Sequence, residues 1–252
     1  MKRWIRIIFR ILRHGIPMVF YVLFAYKNRE TTSSIRRFRR LQYYLKNLDK
    51  KLDVELHVTG LENIPNEQSF MITPNHQSLM DGTIMFELFD DPLRFVSKGE
   101  LTKIPVAKHI LGVMGSIFMD RENLKEELRV MKKVRKSLLK DNAKWIIFPE
   151  GTRTKNENYR LNEFKAGTYK FPMSINKKII PCAVHGAGRV LNGKYNFKKY
   201  PVYIHFFKPF TKEDYKVLST QEIAQKCQTM IQDKVNEFIE LDKKIIEKYE
   251  KF

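Results

Sequence analysis

From residue 2 to residue 13 the chain mixes basic and apolar positions at helical spacing. On a wheel of about 100° per residue, Lys2, Arg3, Arg6, Arg10 and Arg13 fall within one sector roughly 100° wide. Trp4, Ile5, Ile7, Ile8, Phe9, Ile11 and Leu12 fill the remainder. The pattern predicts a basic amphipathic helix with a broad apolar face, of the kind that lies in a membrane interface. Gly15 and Pro17 predict its end. A short apolar run follows, Met18 to Tyr26. It is well under the roughly 20 residues that span a bilayer, and it reads as a second interfacial or re-entrant helix. Ile35, Phe38, Leu41, Leu45 and Leu48 then recur at helical spacing behind Ser33 or Ser34, either of which suits an N-cap.

Beyond residue 50 the period changes. "VELHVTG" alternates as a strand does, and "SFMIT", "LRFVS", "GSIFMDR", "KWIIFPEG", "KIIPCAVHG" and "PVYIHFFKPF" are short apolar runs bounded by turn chemistry. Helical stretches lie between several of them, notably Asn123 to Leu139. Strands that alternate with helices predict an α/β fold, with a mostly parallel central sheet flanked by helices. Near the end, Ser219 and Glu222 form a capping box before a long helix. Its apolar stripe runs through Ile223, Cys227, Met230, Ile231, Val235, Phe238, Leu241 and Ile245 and predicts core packing. The expected organisation is a membrane-associating helical element over residues 1–50 and an α/β domain over 51–252.

Charge sharpens the picture of the first fifth. Residues 1–50 hold 13 Lys and Arg against 2 Asp and Glu, an excess of 11 within a whole-chain net charge of +19. Such a surface attracts phosphate, whether on nucleic acid, anionic lipid or a phosphorylated substrate. No helix-turn-helix, zinc-finger or RNA-recognition pattern accompanies it, so nucleic acid is not the expected partner. A cleaved signal peptide and a core-packed amphipathic helix compete with the membrane-surface reading. No small-residue cleavage site follows the apolar run, and Gly15 and Pro17 interrupt it. The expected location is the cytoplasmic face of the cell membrane. Cys182 and Cys227 show no metal-ligand spacing and read as reduced, partly buried thiols.

The chemistry begins at "TPNHQSLMDG", residues 73–82. His76 and Asp81 are five residues apart, about 140° on an ideal helix, so two mid-helix positions would not face each other. Pro74 disfavours helix at Thr73, and Asn75 can form a turn. His76 then falls in a loop and Asp81 in the first turn of the next helix. A carboxylate there reaches one imidazole nitrogen and leaves the other facing out, the arrangement of a general base and its orienter. A structural hydrogen bond or a surface pair gives the same spacing. "FPEGTRT" adds Glu150, Gly151, Thr152 and Arg153 in a tight turn after a strand, where backbone N–H groups and a guanidinium suit a phosphate. "GSIFMDR" ends in Arg121, a candidate second phosphate anchor; exposed ion pairs at Arg121 and Arg153 and a helix or turn cap at Glu150 are the competing readings. "SKGELTKIP" carries Lys98 and Glu100.

In combination, "NHQSLMD", "GSIFMDR", "FPEGTRT" and "IIPCAV" closely resemble, in order, the motif blocks of the glycerolipid acyltransferase family, in particular its 1-acyl-sn-glycerol-3-phosphate acyltransferases. The likeness covers roughly residues 50 to 210. It implies transfer of a fatty acyl group from a thioester donor, acyl-CoA or acyl-acyl-carrier protein, to the sn-2 hydroxyl of 1-acyl-glycerol 3-phosphate, giving phosphatidate. By that match His76 is the general base and Asp81 orients it. Arg121, Glu150, Gly151, Thr152 and Arg153 hold the acceptor's phosphate, and Lys98 belongs to a block of less defined role. Direct attack on the thioester needs no acyl-enzyme, in keeping with the lack of a GxSxG elbow. Neither a metal nor another cofactor is expected. The implied partners are an anionic membrane surface, the lysophosphatidate acceptor and the thioester donor. "FKAGTYKFPMS" departs from the family pattern by placing Pro172 where a helix is usual. Competing readings are a glycerol 3-phosphate or lysophospholipid acceptor, a non-catalytic binding protein for anionic lipid or nucleic acid, and a metal-dependent hydrolase built on His76 and Asp81.

Overall fold

A computed structural model describes residues 2–66, 69–120, 123–141, 143–154, 158–192 and 197–250. In chain order the elements are α1 (Lys2–Lys27), α2 (Ser34–Lys51), β1 (Val54–Thr59), β2 (Met71–Pro74), α3 (Met80–Glu87), β3 (Leu93–Lys98), α4 (Pro105–Val113), β4 (Ile117–Met119), α5 (Leu124–Lys140), β5 (Lys144–Ile146), α6 (Gly167–Ser174), β6 (Ile179–His185), α7 (Ala187–Val190), β7 (Tyr200–Phe206), α8 (Lys212–Tyr215) and α9 (Thr220–Glu250). The fold is α/β, with a mostly parallel seven-stranded sheet and flanking helices. Every apolar run read as a strand from sequence is one. The chain divides into two compact bodies, Met1–Leu52 with Gly82–Ile146, and Asp53–Asp81 with Ile147–Phe252.

In the second body the strand order is β1-β7-β6-β2. β1 runs parallel to β7 and β2 parallel to β6, whereas β6 and β7 are antiparallel. β6 is buried at every position, as its unbroken apolar run requires. α9 packs on β6 and α6, and its N-terminus carries the expected box: Ser219 N–H donates to Glu222 and Glu222 N–H donates back to Ser219 Oγ. Ile223, Cys227, Ile231 and Val235 are fully buried. Further along the stripe fails. Leu241 is 49% exposed, and Asp242 takes the buried position. Pro172 sits inside α6 and is buried; the helix ends two residues later, where Ile175 and Lys177 N–H groups both donate to the Pro172 carbonyl.

In the first body α1 continues through Gly15 and Pro17, contrary to the expected break. Its axis bends by 44° between Ile7–Arg13 and Gly15–Lys27. Proline removes one hydrogen bond and crowds the preceding turn, and here the helix kinks without ending. The broad apolar face is in fact two faces. Ile7, Met18, Val22 and Ala25 are buried where α1 packs on α2 and α4, while Ile5, Phe9, Leu12, Ile16, Phe20 and Phe24 are each at least 49% exposed. Gly112 of α4 admits the Tyr26 ring, since a Cβ there would lie 2.4 Å from it.

Ser33 caps α2 by accepting from the Arg36 N–H, and Phe38, Leu41 and Leu45 are its buried line. Gln42 Nε2 closes the end of α3 by donating to the Phe86 and Phe89 carbonyls at 2.8 and 2.7 Å. Asp49, 2% exposed, has its carboxyl held well above the usual range, by burial first and then by neighbouring Glu87. β3 runs parallel to both β4 and β5. Asn123 caps α5, and Ser137 on that helix accepts from Arg94 and from the Trp145 indole.

Candidate active site

The site starts where β2 stops. Pro74 is its last residue, and Asn75 extends the pairing with its side chain as well as its backbone: the Asn75 N–H donates to the Cys182 carbonyl at 3.4 Å, Asn75 Nδ2 donates to the Val184 carbonyl at 2.9 Å, and the Val184 N–H donates to Asn75 Oδ1 at 2.7 Å. The edge of β6 is therefore satisfied while the chain turns away. His76 follows in the loop, and Asp81 lies in the first turn of α3. Their rings and carboxylates meet as predicted, with His76 Nδ1 at 2.7 Å from Asp81 Oδ2.

That same oxygen accepts the N–H groups of Gln77 at 2.7 Å and Ser78 at 2.9 Å. An oxygen that takes two amide protons acts as an acceptor, so the proton of the third bond belongs to the imidazole. The neutral form of His76 that this bond selects is the Nδ1–H tautomer, with the lone pair on Nε2. Nε2 makes no hydrogen bond among the described residues, on a side chain 19% exposed. The Phe148 ring stacks on it at 3.9 Å between centroids, and so fixes the plane in which Nε2 points.

Glu150 lies 4% exposed beneath this loop. Its Oε1 accepts the His76 backbone N–H at 2.7 Å. Its Oε2 accepts from Thr154 Oγ1, Asn162 N and Asn162 Nδ2 at 2.5, 2.9 and 3.0 Å. The Thr154 N–H returns a bond to the His76 carbonyl at 2.7 Å. Gly151 makes the intervening turn at φ +73°, a conformation that favours glycine, with its N–H on the Phe148 carbonyl. Thr152 and Arg153 at the turn's tip are exposed. Thr152 and Asn162 border a groove of about 1140 Å³ that also involves Arg160, Lys165, Phe164 and Gln225.

His76, Asp81, Glu150, Gly151, Thr152 and Arg153 thus belong to one body. Lys98 belongs to the other, where it pairs with Glu100 at 2.5 Å, both side chains more than half exposed. Arg121 lies outside the described residues. Cys182 and Cys227 are both fully buried. Burial pushes the Cys182 thiol well up and the Cys227 thiol up to about 12, so neither is a nucleophile.

Sequence reading missed a cluster in the second body. Asp242 of α9 receives Arg189 Nη1 and, at 3.0 Å, Nη2, and lies 3.3 Å from His185 Nε2. His185 is held below the ordinary range by burial foremost and by the Arg189 charge. Its signal in the sequence is faint: an aspartate on the inner face of an amphipathic helix rich in charged residues.

Residues 55–185, more than half of the chain, match the family model described as Acyltransferase. A 1-acyl-sn-glycerol-3-phosphate acyltransferase of Borreliella burgdorferi is 28% identical over 186 residues, which are 70% of this chain and 73% of that one. A Saccharomyces cerevisiae protein of the same name is 26% identical over 199 residues, 79% of this chain and 65% of its own. The match to the mouse alpha enzyme spans 44% of that longer chain. Among solved structures, the 1-acyl-sn-glycerophosphate acyltransferase of Thermotoga maritima superposes with a TM-score of 0.73 at 21% identity, covering 94% of this chain and 97% of that chain, a likeness of fold. By its motifs and by the family model, the chain belongs to the Acyltransferase family.

Proposed function

We propose that the protein transfers a fatty acyl group from a thioester donor to the sn-2 hydroxyl of 1-acyl-glycerol 3-phosphate, forming phosphatidate at an anionic membrane surface. The observation that carries the reading is the His76–Asp81 pair, with Nδ1 engaged and Nε2 bare. His76 Nε2 takes the proton of the acceptor hydroxyl as its oxygen attacks the thioester carbonyl. The tetrahedral intermediate collapses, the C–S bond breaks, and the departing thiolate takes that proton from the imidazolium. Asp81 holds the tautomer and stabilises the transient imidazolium. Atoms and charge balance without an acyl-enzyme, in keeping with the buried, raised thiols.

The acceptor's phosphate is assigned to the turn at Gly151, Thr152 and Arg153. Glu150 serves that turn from below: its four protein donors fasten the turn to the His76 backbone. The donor is acyl-CoA or an acylated carrier protein, both acidic and both suited to a chain of net charge +19.

The membrane contact is assigned to α1 and its exposed line of Ile5, Phe9, Leu12, Ile16, Phe20 and Phe24. Large apolar side chains aligned on one helix face and flanked by Arg10 and Arg13 fit the interface of an anionic bilayer at the cytoplasmic face. No single described helix is long and apolar enough to cross a membrane. Ile7–Arg13 and Gly15–Lys27 together have the length and composition for a bent insertion.

The test is acyl transfer from labelled donor into lysophosphatidate and, separately, glycerol 3-phosphate. Lysophosphatidate-dependent phosphatidate formation supports the assignment. Turnover of glycerol 3-phosphate alone would keep the chemistry and move the acceptor.

A further inference from the structure

The polar cluster at Asp242 has a continuous hydrogen-bonded connection to the catalytic loop, entirely within the second body. Arg189 is 4% exposed and makes its bonds in two directions. Toward α9 it holds Asp242. Toward the sheet its Nη2 donates to the Pro201 carbonyl at 2.9 Å, and its Nε and backbone N–H both point to the Gly186 carbonyl at 3.4 and 3.2 Å. Gly186 has φ +90°, and a Cβ there would lie 2.4 Å from both Arg189 Nη2 and the Pro201 carbonyl oxygen. The glycine and the guanidinium therefore define each other's position.

Fixed in this way, the Gly186 N–H donates to Gln77 Oε1 at 3.2 Å. Gln77 is the residue after the base, and its own N–H is one of the two amides on Asp81 Oδ2. Its side-chain Nε2 is buried without a partner among the described residues, so the acceptor Oε1 is the end that the protein uses.

We infer that Gln77 is a positioning residue for the His76–Asp81 pair, anchored through Gly186 and Arg189 to Asp242 of the C-terminal helix. The anchor sets where the loop after β2 lies, and with it the direction of His76 Nε2. This rests on His76 acting as the base but not on the identity of the acceptor.

The experiment compares wild type with Gln77→Met, which keeps the length and removes the acceptor, Gln77→Glu, which keeps an acceptor oxygen, and Arg189→Lys, which keeps the charge and loses the fork. Two readouts are taken on folded protein of matched thermal midpoint: steady-state kinetics with the acceptor the wild type turns over, and ¹⁵N-histidine spectra that report the His76 tautomer. Gln77→Met is expected to lower kcat about ten- to a hundredfold with little change in KM, and to mix the tautomers of His76. Gln77→Glu is expected to restore the Nδ1–H tautomer and most of kcat. Arg189→Lys is expected to resemble Gln77→Met, and the double variant Gln77→Met with Arg189→Lys to be no worse than either alone. Activity of Gln77→Met within twofold of wild type together with an unchanged His76 signal would overturn the inference, as would fully additive losses in the double variant. If the wild type turns over no tested acceptor, the proposed reaction fails, and the tautomer spectra still decide the positioning role.

Discussion

The His76 backbone N–H donates to Glu150 Oε1 at 2.7 Å across 74 residues of sequence. That bond makes one unit of two motif blocks that the sequence presents as separate. Glu150 meets four protein donors with its two oxygens and is almost wholly buried. Glu150→Gln sets an NH₂ group against at least one of those donors. Leaving a buried donor unpaired costs about 1–3 kcal/mol. The expected outcome is a thermal midpoint lowered by roughly 2–10 °C, with turnover reduced as well because the loop that carries His76 loosens. Calorimetry and kinetics on the same preparation check both.

Asp81→Asn keeps the volume and removes the carboxylate charge that stabilises the imidazolium. The expected loss of kcat is about 10³–10⁴-fold, by analogy with the effect of the same change in a Ser-His-Asp triad. Kinetics at saturating acceptor measure it. A loss below tenfold would mean that the carboxylate is only a cap for α3.

Much of this was legible in the chain. The seven strands, a cap at Ser33 or Ser34, the capping box at Ser219, and the loop placement of His76 ahead of a helical Asp81 all follow from local rules: period, turn chemistry, and the bias of the residue before proline. The continuity of α1 through Gly15 and Pro17 was not, because packing on α2 and α4 outweighs a propensity measured on isolated helices. The division of its apolar residues into a buried and an exposed face was likewise invisible, since both faces have the same composition. The inner Asp242 could not be distinguished from a solvated charge without Arg189, 53 residues away. Gln77 stands in a motif, yet its partner is a backbone N–H, which no side-chain pattern reveals.

Asp49 predicts a pH dependence. Burial foremost, and Glu87 next, raise its folded-state value above the unfolded value of about 4. Between those two values the native state binds more protons than the unfolded one, so stability falls as pH rises. Asp49→Asn abolishes that proton uptake. The variant is expected to gain thermal stability over wild type by a margin that widens from pH 4 to pH 8. Melting curves across that range test it; a margin that narrows with pH would contradict the assignment.

Phe20 and Phe24 are 70% and 66% exposed, so Phe20→Ser with Phe24→Ser removes apolar area without opening a core. Each Phe buried in an apolar phase contributes about 1.5–3 kcal/mol. The double variant is expected to bind anionic vesicles about a hundredfold or more weakly at an unchanged melting temperature. Vesicle sedimentation reads the first quantity and calorimetry the second.

The central claim is that His76 Nε2 removes the proton of a lysophosphatidate hydroxyl. The most direct measurement is phosphatidate formation from labelled acyl thioester and lysophosphatidate on vesicles, by wild type and by His76→Ala that remains folded and vesicle-bound. The account predicts product from wild type and none above background from His76→Ala. Undiminished turnover by His76→Ala would contradict it.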